Sequence, residues 1–324
     1  MKHSKLFFFL LIPLISSCNK ENNNYVYRYS DFDTLITITF YESIDKNILN
    51  KIEDELYFYH VLSDNFVEYK GYNNVYTLNH NKDIELEINK ELYDLLKCSK
   101  SAVEITKGYY NPYMGSLSDK WLTSLNKNEI LSNSIINEEL DKINNSELIL
   151  REIDNKYYAK MVGEASLDLG GIAKGYALDK IKDILSENNI KNYLIDAGRS
   201  SILLGEKKTS NKLFNVGLNN IKNTYLELNN QFLGISAIYE QNKIIDKITY
   251  THIINPFTGS ARTKYDLVFV SGEYGYLTDY LSTALINMEI TDIKEIENSC
   301  NVKCFVYKGN EFLYINDNLE VKYY

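Results

Sequence analysis

The chain has 324 residues, 44% hydrophobic and 24% charged, enough for one large domain or two small ones with an ample core. Its formal net charge of −9 argues against a general nucleic-acid binder, because displacing counterions from a phosphate backbone takes a basic face. Four cysteines are too few for a disulfide scaffold, and three prolines without a Gly/Ser tract mark no flexible linker.

Lys2 and Lys5 precede an apolar run, Leu6 to Ile15. It is too short to span a bilayer, which takes about 20 residues, but it suits a signal-peptide core. Ile15-Ser16-Ser17-Cys18 then resembles the lipobox of bacterial lipoproteins, in which the Cys is acylated and becomes the first mature residue. An ordinary secretory signal that happens to contain a Cys is the alternative. On the first reading residues 1–17 are removed, Cys18 carries the lipid, 18–29 form a polar tether, and 30–324 are an exported body. The anchor then sits on the periplasmic side of the inner membrane or in the outer membrane. The spacing of Cys300 and Cys304 is no zinc pattern, and with Cys98 they read as small buried residues.

Residues 34–41 alternate and predict a strand; 46–62 and 89–106 carry helical spacing. Pro112 forbids continuation of the second helix, and 125–157 read as helices and loops. The clearest block follows. Ser166–Leu169 predicts a short strand, Gly170-Gly171 a turn, and 172–187 an amphipathic helix with Ile172, Tyr176, Ile181 and Leu185 on its stripe. Strands are then predicted at 192–196, 201–205, 213–218, 224–228, 232–238 and 244–254, a last helix over 276–288, and paired strands at 303–308 and 311–315. The mixture is α+β, or mixed α/β, with a substantial antiparallel component.

Three segments carry chemistry. Asp168-Leu-Gly-Gly-Ile-Ala-Lys174-Gly-Tyr176 is a strand–turn–helix junction whose backbone N–H groups, helix dipole and Lys174 could hold a phosphate. It is neither G-x-G-x-x-G nor a P-loop, and glycines serving only helix–strand packing explain it equally well. Asp279 and Thr283 lie at i and i+4 on the last helix and offer hard oxygens suited to Mg²⁺, although a solvated helix face gives the same pattern. Thr251-His252-Ile-Ile-Asn255-Pro-Phe-Thr-Gly259 places His252 just before a turn. A histidine base would be His60, His80 or His252, and a structural His on a strand is the alternative.

In order and spacing these blocks resemble the ApbE family of FAD:protein FMN transferases. Asp168 to Asp179 meets the family's D-L-G-G-I-A-K-G-Y-A-x-D in full, His252 to Gly259 meets H-I-I-D-P-x-T-G with Asn255 for Asp, and Asp279 with Thr283 meets D-x-x-x-T. Phe32-Asp33-Thr34 is similar to M-G-T, Ser63 and Asn79 to the S-x-F…L-N segment, Gly108 to Pro112 to G-A-F-D-P, and Val216-Gly217-Leu218 to V-G-I. The resemblance implies an ApbE-like (T-fold-like) architecture and FAD as substrate, contacted at Asp168 and Lys174 and by the segments of Phe32, of Tyr109, Tyr110 and Asn111, and of Ile254. It implies Mg²⁺ held by the Gly171 backbone, Asp279 and Thr283, with His252 as a suspected general base. The implied reaction is attack by a Thr or Ser hydroxyl of an acceptor protein on the flavin-side phosphorus, with AMP leaving. The acceptor is expected to be an exported flavoprotein domain of an electron-transfer system.

The sequence departs from the family at Arg199, where Asn-x-Gly-Gly-Asp becomes Asp196-Ala-Gly-Arg-Ser200, at Ala237 in the T-S-G turn, and at Asn111 and Asn255, each in place of Asp. Arg199 would either crowd the site or reach a phosphate. The alternatives are an FAD pyrophosphatase giving FMN and AMP, and a non-catalytic FAD-binding lipoprotein.

Overall fold

A computed structural model describes residues 24–207, 213–218, 221, 223–239 and 242–324. Strands β1 (Tyr25–Asp31) and β2 (Thr34–Phe40) open it as a hairpin. β1 takes up residues 25–29, which the sequence reading gave to the tether. Helix α1 (Lys46–Ser63) starts where the Asp45 carboxylate accepts from Asn47 N, and α2 (Val75–His80) starts at a capping box built on Asn74. Strand β3 (Leu86–Ile88), α3 (Lys90–Ile105), α4 (Gly115–Asn126) and α5 (Asn133–Asn144) follow. Next come β4 (Glu147–Ile153) and β5 (Lys156–Val162), a hairpin where helices and loops were expected. Ser166–Leu169 is not a strand: its one ladder contact is a bridge from Ser166 to Met114.

The predicted amphipathic helix is α6 (Ala173–Glu187), followed by β6 (Tyr193–Ala197), β7 (Ser201–Leu204), β8 (Phe214–Gly217), β9 (Thr224–Leu228) and β10 (Gln231–Ala237). The expected strand 244–254 is instead a hairpin of β11 (Asn242–Ile245) and β12 (Ile248–Thr251), turning at Asp246 and Lys247 with φ of 50° and 65°. β13 (Leu267–Gly272) precedes α7 (Gly275–Leu285). A further helix that the sequence does not announce, α8 (Ile290–Cys300), buries only the narrow face of Ile293, Ile296 and Glu297. β14 (Lys303–Lys308), β15 (Glu311–Ile315) and β16 (Val321–Tyr323) close the chain. The three cysteines among the described residues are free, and Cys304 is buried.

The main sheet runs β1-β2-β6-β7-β10-β13-β14-β15, antiparallel at every pairing. Its central strands read as continuous apolar runs because both faces are covered. Val268 and Val270 of β13 and Val306 of β14 face the helical core, while Leu267, Phe269 and Phe305 face a second core shared with β8 and β9. This is the mixed α+β class with a substantial antiparallel sheet.

Helix α7 lies against β10, β13 and α6. The approach is backbone to backbone. A Cβ on Gly175 would sit 2.1 Å from the Gly275 carbonyl oxygen, and one on Gly234 of β10 would sit 1.9 Å from the Thr278 carbonyl oxygen. In an exposed helix, Gly→Ala gains about 1 kcal/mol. Here the methyl group has nowhere to go, so Gly175→Ala is expected to lower stability by about 1–3 kcal/mol. Urea unfolding checks this, and a gain in stability would contradict the packing.

Candidate active site

The junction before α6 is held by its neighbours rather than by a strand ladder. The Asn79 amide donates to Leu167 O at 2.9 Å and its Oδ1 accepts from Leu167 N at 2.7 Å, so one side chain pairs with the peptide as a strand would. Asp168 N donates to Pro112 O, and the Asp168 carboxylate accepts from Gly170 N at 2.7 Å, which fixes the turn. Lys174, in the first turn of α6, reaches back to Gly170 O at 3.2 Å. Ile172 stands at the N-cap of α6 and gives no side-chain cap.

That cap comes from the other helix. Asp279 of α7 is 3% exposed. One of its carboxylate oxygens accepts from Gly175 N at 2.9 Å, and the other accepts from the Ser201 hydroxyl at 2.9 Å. Thr283 stands one turn on, and a Cβ on Gly171 would meet its Oγ1 at 3.2 Å and the Tyr110 ring at 3.3 Å. Asp179 repeats the arrangement in reverse: its carboxylate accepts from Gly275 N at 2.7 Å and Tyr276 N at 2.8 Å and so caps α7 from α6. Burial pushes the Asp179 carboxyl up to about 6, against the pull of those two N–H groups.

His252 is exposed, just after β12, and the turn beyond it is built on Asn255, whose Oδ1 accepts from Phe257 N at 3.0 Å and Thr258 N at 3.3 Å. Asn111 likewise accepts from Tyr113 N at 2.9 Å. Both turns need an acceptor and not a charge, which is why Asn serves in either place. The two neighbouring tyrosines differ. Tyr110 is buried with its hydroxyl against Ser99 at 3.0 Å, whereas Tyr109 is half-buried and meets Phe257 edge-on at 4.7 Å.

These segments meet at one cleft of about 330 Å³. Asp168, Gly171 and Lys174 line it from the α6 junction, and Asp279 and Thr283 from α7. Tyr109, Tyr110 and Asn111 line it from the segment after α3, Phe32 from the β1–β2 turn, and His252 and Ile254 from the segment after β12. Cys18 and the signal segment lie outside the described residues. Not singled out from the sequence are Ser201, whose hydroxyl fixes Asp279, and Ser118 of the lining, whereas Thr34 and Ser200, which also line the cleft, fall in the M-G-T and Asn-x-Gly-Gly-Asp matches. Ser201 and Ser118 carry no sequence signal, because serine is common and the contacts are long-range. Ala237 lines the cleft, but Arg199 is exposed and is not among the lining residues, although Gly198 and Ser200 beside it are. Arg199 has φ 64°, a left-handed conformation that suits the Gly of the family pattern.

Charge in the cleft is unbalanced. Asp33, Asp168 and Asp279 face it, and Lys174 is the only Lys or Arg among its described lining residues. No group of three or more His, Cys, Asp and Glu suited to a metal occurs among the described residues. The donors at hand are of another kind: a buried carboxylate with no ion-pair partner among the described residues, a hydroxyl, and the backbone at a glycine. Such hard oxygens match Mg²⁺ completed by waters and phosphate oxygens. The donor set therefore fits the ion that the resemblance implies.

The ApbE family model matches residues 32–306, and the chain belongs to that family. The FAD:protein FMN transferase of Klebsiella pneumoniae is 26% identical over 172 residues, 53% of this chain and 54% of that protein. That of Treponema pallidum is 26% identical over 61% of this chain and 59% of its own length. The alignments thus span little more than half of these relatives. That of Chlamydia muridarum is 26% identical over 68% of this chain and 70% of its own. Among solved structures, the ApbE protein of Thermotoga maritima superposes with a TM-score of 0.75 at 22% identity, covering 93% of this chain and 96% of that one. The flavin transferase ApbE of Vibrio cholerae gives 0.74 at 17%, covering 91% and 97%. The fold is the ApbE fold.

Two outcomes follow from these contacts. Because the folded Asp179 carboxyl titrates at about 6 against 3.8 for the free group, its contribution to stability is fully present below the lower value and is lost as pH rises through the upper one. Relative to Asp179→Asn, the protein should lose roughly 2 kcal/mol between about pH 4 and about pH 6.5 in urea titrations, and a flat difference would contradict this. Arg199→Gly should raise stability by about 1 kcal/mol, read from the thermal midpoint, because it relieves a left-handed side chain.

Proposed function

We propose that the protein transfers FMN from FAD to a Thr or Ser hydroxyl of an exported acceptor protein, releasing AMP, with Mg²⁺ as its metal. The observation that carries this reading is the convergence of Asp168, Lys174, His252, Asp279 and Thr283 on one cleft in a chain of the ApbE family. Relatives named FAD:protein FMN transferase support it.

Gly171, Asp279 and Thr283 would hold Mg²⁺, which when bound neutralises charge on the pyrophosphate. The chain's own groups do the rest. Lys174 and the N-terminus of α6 bind diphosphate oxygens. Phe32, Tyr109 and Ile254 give the flavin an apolar wall. His252 takes the proton of the acceptor hydroxyl, whose oxygen bonds to the flavin-side phosphorus. The bond from that phosphorus to the bridging oxygen breaks, and AMP departs with the bridging oxygen. The exposure of His252 leaves room for a protein nucleophile.

Cys18 is proposed as a lipidated anchor after loss of residues 1–17, and the acceptor as a flavoprotein domain of an electron-transfer system beyond the cytoplasm. No helix among the described residues is long and apolar enough to cross a membrane.

The test is intact-mass analysis of an acceptor domain incubated with the protein, FAD and Mg²⁺. Covalent FMN on the acceptor is expected, and His252→Ala should slow its formation by roughly 100-fold or more. FMN and AMP released equally well without acceptor would instead make the protein a pyrophosphatase. FAD bound without turnover would make it a binding protein.

A further inference from the structure

The β1–β2 turn that walls the cleft is unusual. Phe32 and Asp33 both have left-handed backbones, with φ of 53° and 54°. This is the geometry of a two-residue hairpin turn that favours Asn-Gly, and a bulky aromatic is rarely found there. The other hairpin turns of this kind among the described residues carry Asp154-Asn155, Asp246-Lys247 and Gly309-Asn310, with no aromatic residue. Something must hold Phe32 in place, and the structure shows what does. Phe32 N donates to His60 Nδ1 at 3.0 Å, from the last turn of α1, and the two rings meet edge to face at 5.8 Å.

His60 is itself fixed. Its Nε2 lies 3.2 Å from the Tyr69 hydroxyl, which lies 2.9 Å from Asp64 Oδ2. The Asp64 carboxylate can only accept, and its other oxygen already accepts from Phe66 N and Val67 N. The Tyr69 proton therefore points to Asp64, and the Tyr69 oxygen accepts from His60 Nε2–H. Nδ1 is left bare to accept from Phe32. Burial and the bond to Asp64 push the Tyr69 phenol up, so that it keeps its proton. The direction of every bond in the chain Phe32–His60–Tyr69–Asp64 is thereby set. A second, smaller pocket of about 120 Å³ lies along this chain and shares Phe32, Asp168 and Lys174 with the cleft.

We infer that His60 is a positioning residue for the substrate cleft, acting through the Phe32–Asp33 turn, with Tyr69 and Asp64 fixing its tautomer. The inference rests on the proposed reading of FAD as the substrate. The motif resemblance assigns no role to His60, and its ring does not line the main cleft.

The test compares full-length wild type, His60→Leu, His60→Asn and Tyr69→Phe by two readouts. One is hydrogen–deuterium exchange over residues 25–40 without ligand. The other is FAD affinity by flavin fluorescence, set beside kcat for transfer. His60→Leu should speed exchange at the turn and weaken FAD binding several-fold, with a smaller change in kcat. His60→Asn, whose Oδ1 can replace Nδ1 as acceptor, should restore most of both, and Tyr69→Phe should fall between. Unchanged exchange in His60→Leu, or an equal loss of affinity in the Leu and Asn variants, would overturn the inference. If wild type bound no FAD, the functional reading would fail, and the exchange result alone would decide the role of His60.

Discussion

Everything at the cleft depends on the crossing of α6 and α7 at Gly175 and Gly275. Backbone contact there lets each helix cap the other: Asp279 accepts from Gly175 N, and Asp179 accepts from Gly275 N and Tyr276 N. The same few ångströms bring Thr283 beside Gly171 and leave the N-terminus of α6 turned toward the cleft without a cap of its own sequence. A carboxylate taken out of water costs several kcal/mol unless it is hydrogen-bonded. Asp279 meets that condition through Gly175 and Ser201 while retaining lone pairs for a cation. The helix crossing is thus both the core of the domain and the scaffold of the chemistry.

Around that fixed centre, the departures from the family pattern sort themselves by what each position requires. Asn111 and Asn255 stand where turns need an acceptor for backbone N–H groups, and an amide oxygen supplies one. Arg199 stands where the backbone is left-handed, so its cost is conformational, and its exposed side chain leaves the cleft wall to Gly198 and Ser200. Of the charges that face the cleft, Asp168, Lys174 and Asp279 follow the pattern without change, whereas Asp33 stands at the Gly of M-G-T.

Much of this was legible in the sequence, for identifiable reasons. The stripe Ile172, Tyr176, Ile181 and Leu185 marks α6 because a helix packed on one face must repeat near 3.6, and the apolar run of β14 marks a strand covered on both sides, whereas β13 is a strand that the sequence analysis does not predict. The candidate site residues stand out in the sequence because they lie in contiguous blocks, and the fold brings those blocks to one cleft. Hairpins turning at Asp154-Asn155 and Asp246-Lys247 were not, because neither turn contains the glycine that announces such geometry. Nor were Ser201 and His60, whose roles come from partners 78 and 28 residues away. Ser166–Leu169 reads as a strand in the sequence, but its pairing comes from the Asn79 side chain and one bridge to Met114 instead of a ladder with a neighbouring strand.

The central proposal is that Asp279, Thr283 and the Gly171 turn form a metal-assisted diphosphate site. It is tested most directly by titrating FAD into the protein, followed by flavin fluorescence, with and without Mg²⁺, in wild type and Asp279→Ala. The account predicts that Mg²⁺ tightens FAD binding in wild type and has no such effect in the variant. FAD binding that is equally tight with and without Mg²⁺ in wild type, or a Mg²⁺ effect that survives in Asp279→Ala, would contradict it.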